Sequence, residues 1–350
     1  MSITKAVFGA FESGELVYAY TLTNRMGVSA TILNLGGIIQ KLMIPDRAGK
    51  LADVILGYDT VEGYLTGGGC HGALIGRFAN RIRDGRFTLD SVTYTLPRNE
   101  LGVTSLHGNQ EFNCAIWDAE PDDANNSLRL THVSPDGSNG FPGELTILVT
   151  YTFDDDCALT IRYEAVSTKT TVVNFTNHAY FNLAGGGSIF GQVLTLDCSR
   201  FTENDPALCI PTGRIVDVAD TPGFDFRTGR VIGENVALAD PGALFSGGYD
   251  HNFILDRDAS GLTHAAAVYD PQSGRRLDAY TTLPAVQVYT ANNMKGNYPL
   301  KSGVPQTPHT GICLETQGYP DAPNQPAFPS ARLEAGEKFV SVTRYRFSVQ

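Results

Sequence analysis

The chain has 350 residues, 42% of them hydrophobic and 18% charged, a globular composition that excludes disorder as its main state. Lys and Arg total 26 against 37 Asp and Glu, a formal net charge of −11; an acidic chain repels phosphate backbones and anionic lipid, so neither nucleic acid nor a membrane is expected as a partner. Six cysteines form no C-x-x-C pair, the opening residues read as no signal peptide, and no run approaches the roughly 18 apolar residues that span a bilayer. These features predict a soluble, cytoplasmic protein with free thiols.

Short runs with period-two alternation are punctuated by 37 Gly and 18 Pro spread along the chain. In order, residues 30–35 and 54–57 read as strands, 60–65 as a short helix and 74–81 as a second one. Further on, Leu145, Ile147, Val149, Tyr151 and Phe153 share one face, with Thr146, Thr150 and Thr152 on the other. An acidic turn, Asp154-Asp155-Asp156, leads into Leu159, Ile161, Tyr163 and Ala165, which alternate again. Successive strand side chains point to opposite faces, so this is the pattern of a half-buried antiparallel hairpin. Residues 193–201, 285–290 and 339–349 complete the strand candidates. Without βαβ alternation, an internal repeat or a composition shift, residues 1–350 are predicted to form one all-β domain, an antiparallel sandwich or barrel with few short helices.

Several motifs are excluded by context. Gly67-Gly68-Gly69-Cys70-His71-Gly72 has the spacing G-x-G-x-x-G, but no buried strand precedes it, so it reads as a turn. Gly49-Lys50 lacks the glycine of a P-loop, no H-E-x-x-H occurs, and neither metal nor cofactor is expected. Polar groups concentrate instead in four segments between apolar strands: 76–82, 105–108, 174–183 and 313–324. Taken singly, His178 reads as a hydrogen-bonded structural histidine and Glu315 as an exposed carboxylate at a strand end. Yet Glu315 follows the apolar run Ile312-Cys313-Leu314, where a carboxylate needs partners or a raised pKa.

Together these strings resemble the aldose 1-epimerase (galactose mutarotase) family. The resemblance rests on Gly76-Arg77-Phe78-Ala79-Asn80-Arg81-Ile82, Leu106-His107-Gly108, Thr176-Asn177-His178-Ala179-Tyr180-Phe181-Asn182-Leu183, Gly248-Tyr249-Asp250-His251-Asn252-Phe253 and Leu314-Glu315-Thr316-Gln317 with Pro320-Asp321-Ala322-Pro323-Asn324, in the family's order. It implies a large twisted antiparallel β-sandwich with a carbohydrate cleft on one sheet. By position it implies Glu315 as general base, His178 as general acid and His107 as a second active-site histidine. Asn80, Arg81, Tyr180, Asp250 and Gln287 match positions that hold sugar hydroxyls or line the cleft. Asn109 stands where the family has a second glycine, Thr104 where it commonly has Asn, and residues 99–105 follow its pattern poorly.

The implied reaction needs few groups. Interconverting the α and β anomers of an aldose removes a proton from the C1 hydroxyl and delivers one to the ring oxygen; the open chain rotates and recloses. One base, one acid and hydroxyl-binding groups suffice. An ordinary Glu315, with a pKa of about 4.3, stays ionised at neutral pH, and an ordinary His178 titrates near ~6.5. Arg77 is expected as a structural ion-pair partner, His71, His132, His251, His264 and His309 as surface or packing residues, and Trp117 as core. The expected substrates are free aldohexoses such as D-glucose and D-galactose, with the chain a monomer or homodimer. The alternatives are an epimerase for a hexose phosphate or disaccharide, and a sugar-binding protein without turnover.

Overall fold

The computed structural model describes residues 1–256 and 261–350. Three antiparallel sheets account for most of it. The first 53 residues form a meander, Ser2–Ala10, Leu16–Thr23, Ser29–Leu33, Ile39–Pro45 and Leu51–Asp53, each strand pairing with the next. The largest sheet has nine strands and contains Leu145–Phe153, Ala158–Ser167 and Lys338–Val349 side by side. A six-stranded sheet runs Tyr180–Phe181, Ile312–Gln317, Ala285–Tyr289, Asp250–Ile254, Arg200–Asp205, Ile210–Asp217.

Period-two patterning decides what each sheet buries. Leu145, Ile147, Val149, Tyr151 and Phe153 are at most 1% exposed, and Leu159, Ile161, Tyr163 and Ala165 join them in one core. The six-stranded sheet contributes Phe201, Phe253, Val286, Val288 and Leu314 to the same core. Tyr345, on the nine-stranded sheet, donates its hydroxyl to the Leu314 carbonyl at 2.8 Å. With one face of the six-stranded sheet buried in this way, alternate residues turn the other way, and these are polar: Glu315, Gln287, Asn252 and Asp250. The hairpin and the all-β sandwich are therefore as the alternation predicts.

Three local readings differ from the structure. Residues 54–57 are not a strand. The Val54 N–H donates to Leu42, the Leu56 N–H donates to Tyr180, and Ile55 makes a single bridge to Phe181, so the segment is shared between two sheets. Residues 193–201 break in two: Val193–Leu196 belongs to the nine-stranded sheet and Arg200–Asp205 to the six-stranded one, and the chain changes layer at 197–199. Residues 74–81 are not helical. Each residue there is buried, leaving no solvent face for an amphipathic helix, and their backbone groups pair with other segments. The helix expected at 60–65 is present as Val61–Thr66; the Thr60 hydroxyl caps it, accepting from the Gly63 N–H at 3.0 Å. The glycine turn follows, with Gly68 and Gly69 at φ +79° and +77°. Among the described residues all six cysteines are free, four of them buried, and no helix is long and apolar enough to cross a membrane.

Candidate active site

The polar face of the six-stranded sheet opens into a cavity of about 260 Å³. Glu315 sits mid-strand, directly opposite Gln287, which lies opposite Asn252 on the next strand. Three loop segments close over this row, and the sequence strings are what lock them together. Asn174 clasps the 77–79 backbone: its N–H donates to the Arg77 carbonyl, its carbonyl accepts from the Ala79 N–H at 2.8 Å, and its side chain donates to the Ala79 carbonyl. Asp321, fully buried, clasps the next residues; its N–H donates to the Arg81 carbonyl and its carboxylate accepts from the Arg83 N–H, both at 2.9 Å. The segment holding Asn80 and Arg81 is thus fixed from two sides by residues of the third and fourth strings.

Arg77 corrects an expectation. It is 0% exposed, but among the described residues no carboxylate bonds to it. Its guanidinium donates to the carbonyls of Pro142, Gly143, Ser134 and Pro135 and to the Ser134 hydroxyl. Burial pushes it down to about 10, and it stays charged at neutral pH.

His107 is held by a reciprocal pair. Its N–H donates to the Asn80 carbonyl, and the Asn80 N–H donates back to Nδ1 of the ring, both at 3.1 Å. A nitrogen that accepts carries no proton, so the proton of the neutral ring is on Nε2. Burial, helped by the Arg81 charge, pushes His107 down to about 3. His107 is therefore a neutral ring with one N–H donor to offer. The turn beyond it needs its glycine: at Gly108 φ is +61°, and a Cβ would lie 2.1 Å from the Gly76 carbonyl oxygen. Asn109, also left-handed at φ +56°, stands where the family has glycine, and asparagine tolerates that region. Its amide donates to the Asn139 side chain at 2.9 Å.

His178 and Glu315 meet across the cavity floor, His178 Nε2 3.7 Å from Glu315 Oε1. The imidazole stacks on Tyr180 at 4.9 Å, and His71 also stacks on Tyr180, at 4.4 Å. His107 meets His178 edge-on at 5.2 Å. Burial, and then the Asp250 charge, hold Glu315 well above the ordinary carboxylate value, with Arg81 opposing. Burial, then His107 and His71, hold His178 well below 6.5. Neither group has the ordinary pKa read from the sequence, because both are 6% exposed or less. A deep carboxylate with a raised pKa is a stronger base, and an imidazole with a lowered pKa a stronger acid.

Asp250 is a second buried carboxylate on the cavity wall. Gln287 donates to its Oδ1 at 2.6 Å, the Cys209 thiol lies 3.3 Å from Oδ2, and Arg81 Nη1 lies 3.5 Å from Oδ2. Glu315, His178, His107, Asn80, Arg81, Tyr180 and Asp250 all line the cavity; Gln287 does not, and reaches it only by its hydrogen bond to Asp250. Sequence reasoning missed Glu100 and Tyr289, which also line the cavity. Tyr289 was readable, two residues beyond Gln287 on the same strand face. Glu100 lies in a loop without a motif.

Donor atoms of His107, His178 and Glu315 lie within 4.8 Å of one another, a spacing that could suit a metal ion. The tautomer of His107 argues against one: Nδ1 is taken by Asn80 and Nε2 carries the proton, so neither nitrogen offers a lone pair.

Comparison with known proteins agrees with this geometry. The family described as aldose 1-epimerase matches residues 18–346. The chain is 41% identical to galactose mutarotase of Rattus norvegicus over 352 residues, covering 100% of this chain and 99% of the relative. It is 36% identical to aldose 1-epimerase of Escherichia coli strain K12 over 339 residues, covering 95% and 96%. Among solved structures, galactose 1-epimerase from Lactobacillus acidophilus superposes with a TM-score of 0.85 at 28% identity, covering 100% of this chain and 99% of the other. An aldose epimerase homologue from C. elegans gives 0.86 at 28% identity, covering 94% and 98%.

Proposed function

The chain belongs to the aldose 1-epimerase family, and on that footing we propose that it interconverts the α and β anomers of free aldohexoses such as D-glucose and D-galactose, with Glu315 and His178 moving the protons. The observation that carries this is the 3.7 Å approach of a buried carboxylate and a buried imidazole on the floor of a sugar-sized cavity.

In the forward direction Glu315 takes the proton of the C1 hydroxyl while His178 gives one to the ring oxygen; the C1–O5 bond breaks and C1 becomes a carbonyl. Rotation about C1–C2 presents the other carbonyl face, and the reverse transfers close the ring. The two side chains then share one proton throughout. Burial favours the neutral arrangement, acid and free imidazole, which is the state after ring opening. This offsets part of the cost of the open-chain intermediate. A positioned acid and a positioned base each contribute roughly 10²–10⁴-fold. The Nε2–H of His107 supports the oxygen that gains negative character, and Asp250, held by Gln287, accepts from a sugar hydroxyl. Asn80, Arg81 and Tyr180 complete the contacts to the sugar. The whole chain works as one domain in this reading.

Freshly dissolved α-D-glucose or α-D-galactose tests it. Optical rotation should reach equilibrium many times faster with the protein than in buffer; the buffer rate in its presence rejects the proposal.

A further inference from the structure

Arg81 is the one cationic side chain on the cavity wall among the described residues, and it is already neutralised. Glu100 accepts from its Nε and Nη2, each at 2.8 Å, while Nη1 faces Asp250. The fork is thus closed against Glu100 before any ligand enters. Burial works against the Arg81 charge, but Asp250 and Glu100 beside it hold the guanidinium protonated. Two other arginines near the cleft in sequence are diverted: Arg77 is spent on carbonyls, and Arg83 donates to the Pro211 carbonyl beside Asp321. The Glu315–His178 pair shares one proton and carries no net charge, so the wall sets one cation, Arg81, against two carboxylates, Glu100 and Asp250.

Glu100 is held there by a purpose-shaped loop. The Thr104 hydroxyl donates to its Oε2 at 2.7 Å, and backbone bonds close residues 100–104 into a turn. Asn99 straps the turn to the strand before His107, its side chain bonding both the N–H and the carbonyl of Leu106. These are the residues, Thr104 among them, that depart from the family's pattern.

We propose that Glu100 is a specificity-determining residue, which by cancelling Arg81 makes the cavity select uncharged aldoses and reject those that carry a carboxylate or phosphate. The inference rests on the epimerase reading above and names its substrate class. An anionic sugar would enter a cavity with no free cation and an excess of like charge, where repulsion is weakly screened.

D-Glucuronamide and D-glucuronate differ in charge at one group and serve as probes beside D-glucose, with α/β exchange of each measured by NMR exchange spectroscopy. The intact protein should turn over the amide with a kcat/KM on the order of a hundredfold above that of the acid. Glu100→Gln should narrow that ratio by about tenfold or more, chiefly by raising the rate on the acid, and Glu100→Asp should preserve it. Equal loss on both sugars in Glu100→Gln would mean that Glu100 is only structural and would overturn the inference. Should that variant fail to fold, the intact protein still decides, since an amide-to-acid ratio near one is fatal. Failure of the intact protein to speed glucose exchange rejects the epimerase reading itself, a distinct outcome.

Discussion

Replacing Arg77 by methionine asks how much the site depends on a buried cation whose hydrogen bonds all go to carbonyls and a hydroxyl. The side chain makes five hydrogen bonds, to the four carbonyls of Ser134, Pro135, Pro142 and Gly143 and to the Ser134 hydroxyl. Methionine fills most of the volume but strands those acceptors, and a stranded buried acceptor costs about 1–3 kcal/mol. Relief from burying a charge offsets part of the sum. The net loss expected is about 3–5 kcal/mol, the usual scale for breaking a buried charged network from one side. For a chain of this size about 2 °C per kcal/mol applies, so calorimetry should show Tm falling by roughly 6–10 °C. Arg77→Lys, with three donors in place of the fork, should fall between. Activity per folded molecule should drop as well, because the 77–79 backbone anchors Asn80 and Arg81. A Tm for Arg77→Met within about 2 °C of the intact protein would refute this reasoning.

Asp250→Asn should cut kcat/KM roughly 10- to 100-fold, the worth of one charge-assisted hydrogen bond to a hydroxyl, measured by polarimetry; an unchanged value would remove Asp250 from sugar binding. Gly108→Ala should leave little folded protein on size-exclusion chromatography, because its Cβ would sit 2.1 Å from a backbone oxygen in a left-handed turn; a folded, fully active variant contradicts that. The pH profile of kcat/KM should be a plateau between two limbs. Since burial lowers His178, the pair takes up a second proton and loses its base only below 6.5. Since burial raises Glu315, the shared proton is lost only well above 4.5, setting the alkaline limb. An acid limb centred above pH 7 would contradict this assignment.

Much of the fold was legible because alternation is local. Leu145 to Phe153 declare their buried face with no knowledge of the partner sheet, and the structure agrees. What failed was what needs tertiary partners. Residues 54–57 and 193–201 look continuous, yet the chain there passes between sheets, and nothing in the side-chain pattern marks where one ladder ends. The 74–81 segment has helix-compatible residues, but its backbone is satisfied by Asn174 and Gly36 rather than within itself. In the site, His178 and Glu315 were found through the strings that carry them. Their shifted pKa values were not, since desolvation is a property of what folds over the cavity. Arg77 looked like half of an ion pair because carbonyl partners leave no trace in composition. Glu100 was missed for the opposite reason: an isolated acid in a poorly matching loop gains meaning only when Arg81 is seen beside it.

The central claim is that Glu315 and His178 act as a unit. The direct measurement is α/β exchange of D-glucose by NMR in Glu315→Gln, His178→Asn and the double variant. Each single change should cost about 10²–10⁴-fold, and the double change should cost little more than the worse of the two. Single variants that keep the intact rate, or losses that multiply in the double variant, would contradict it.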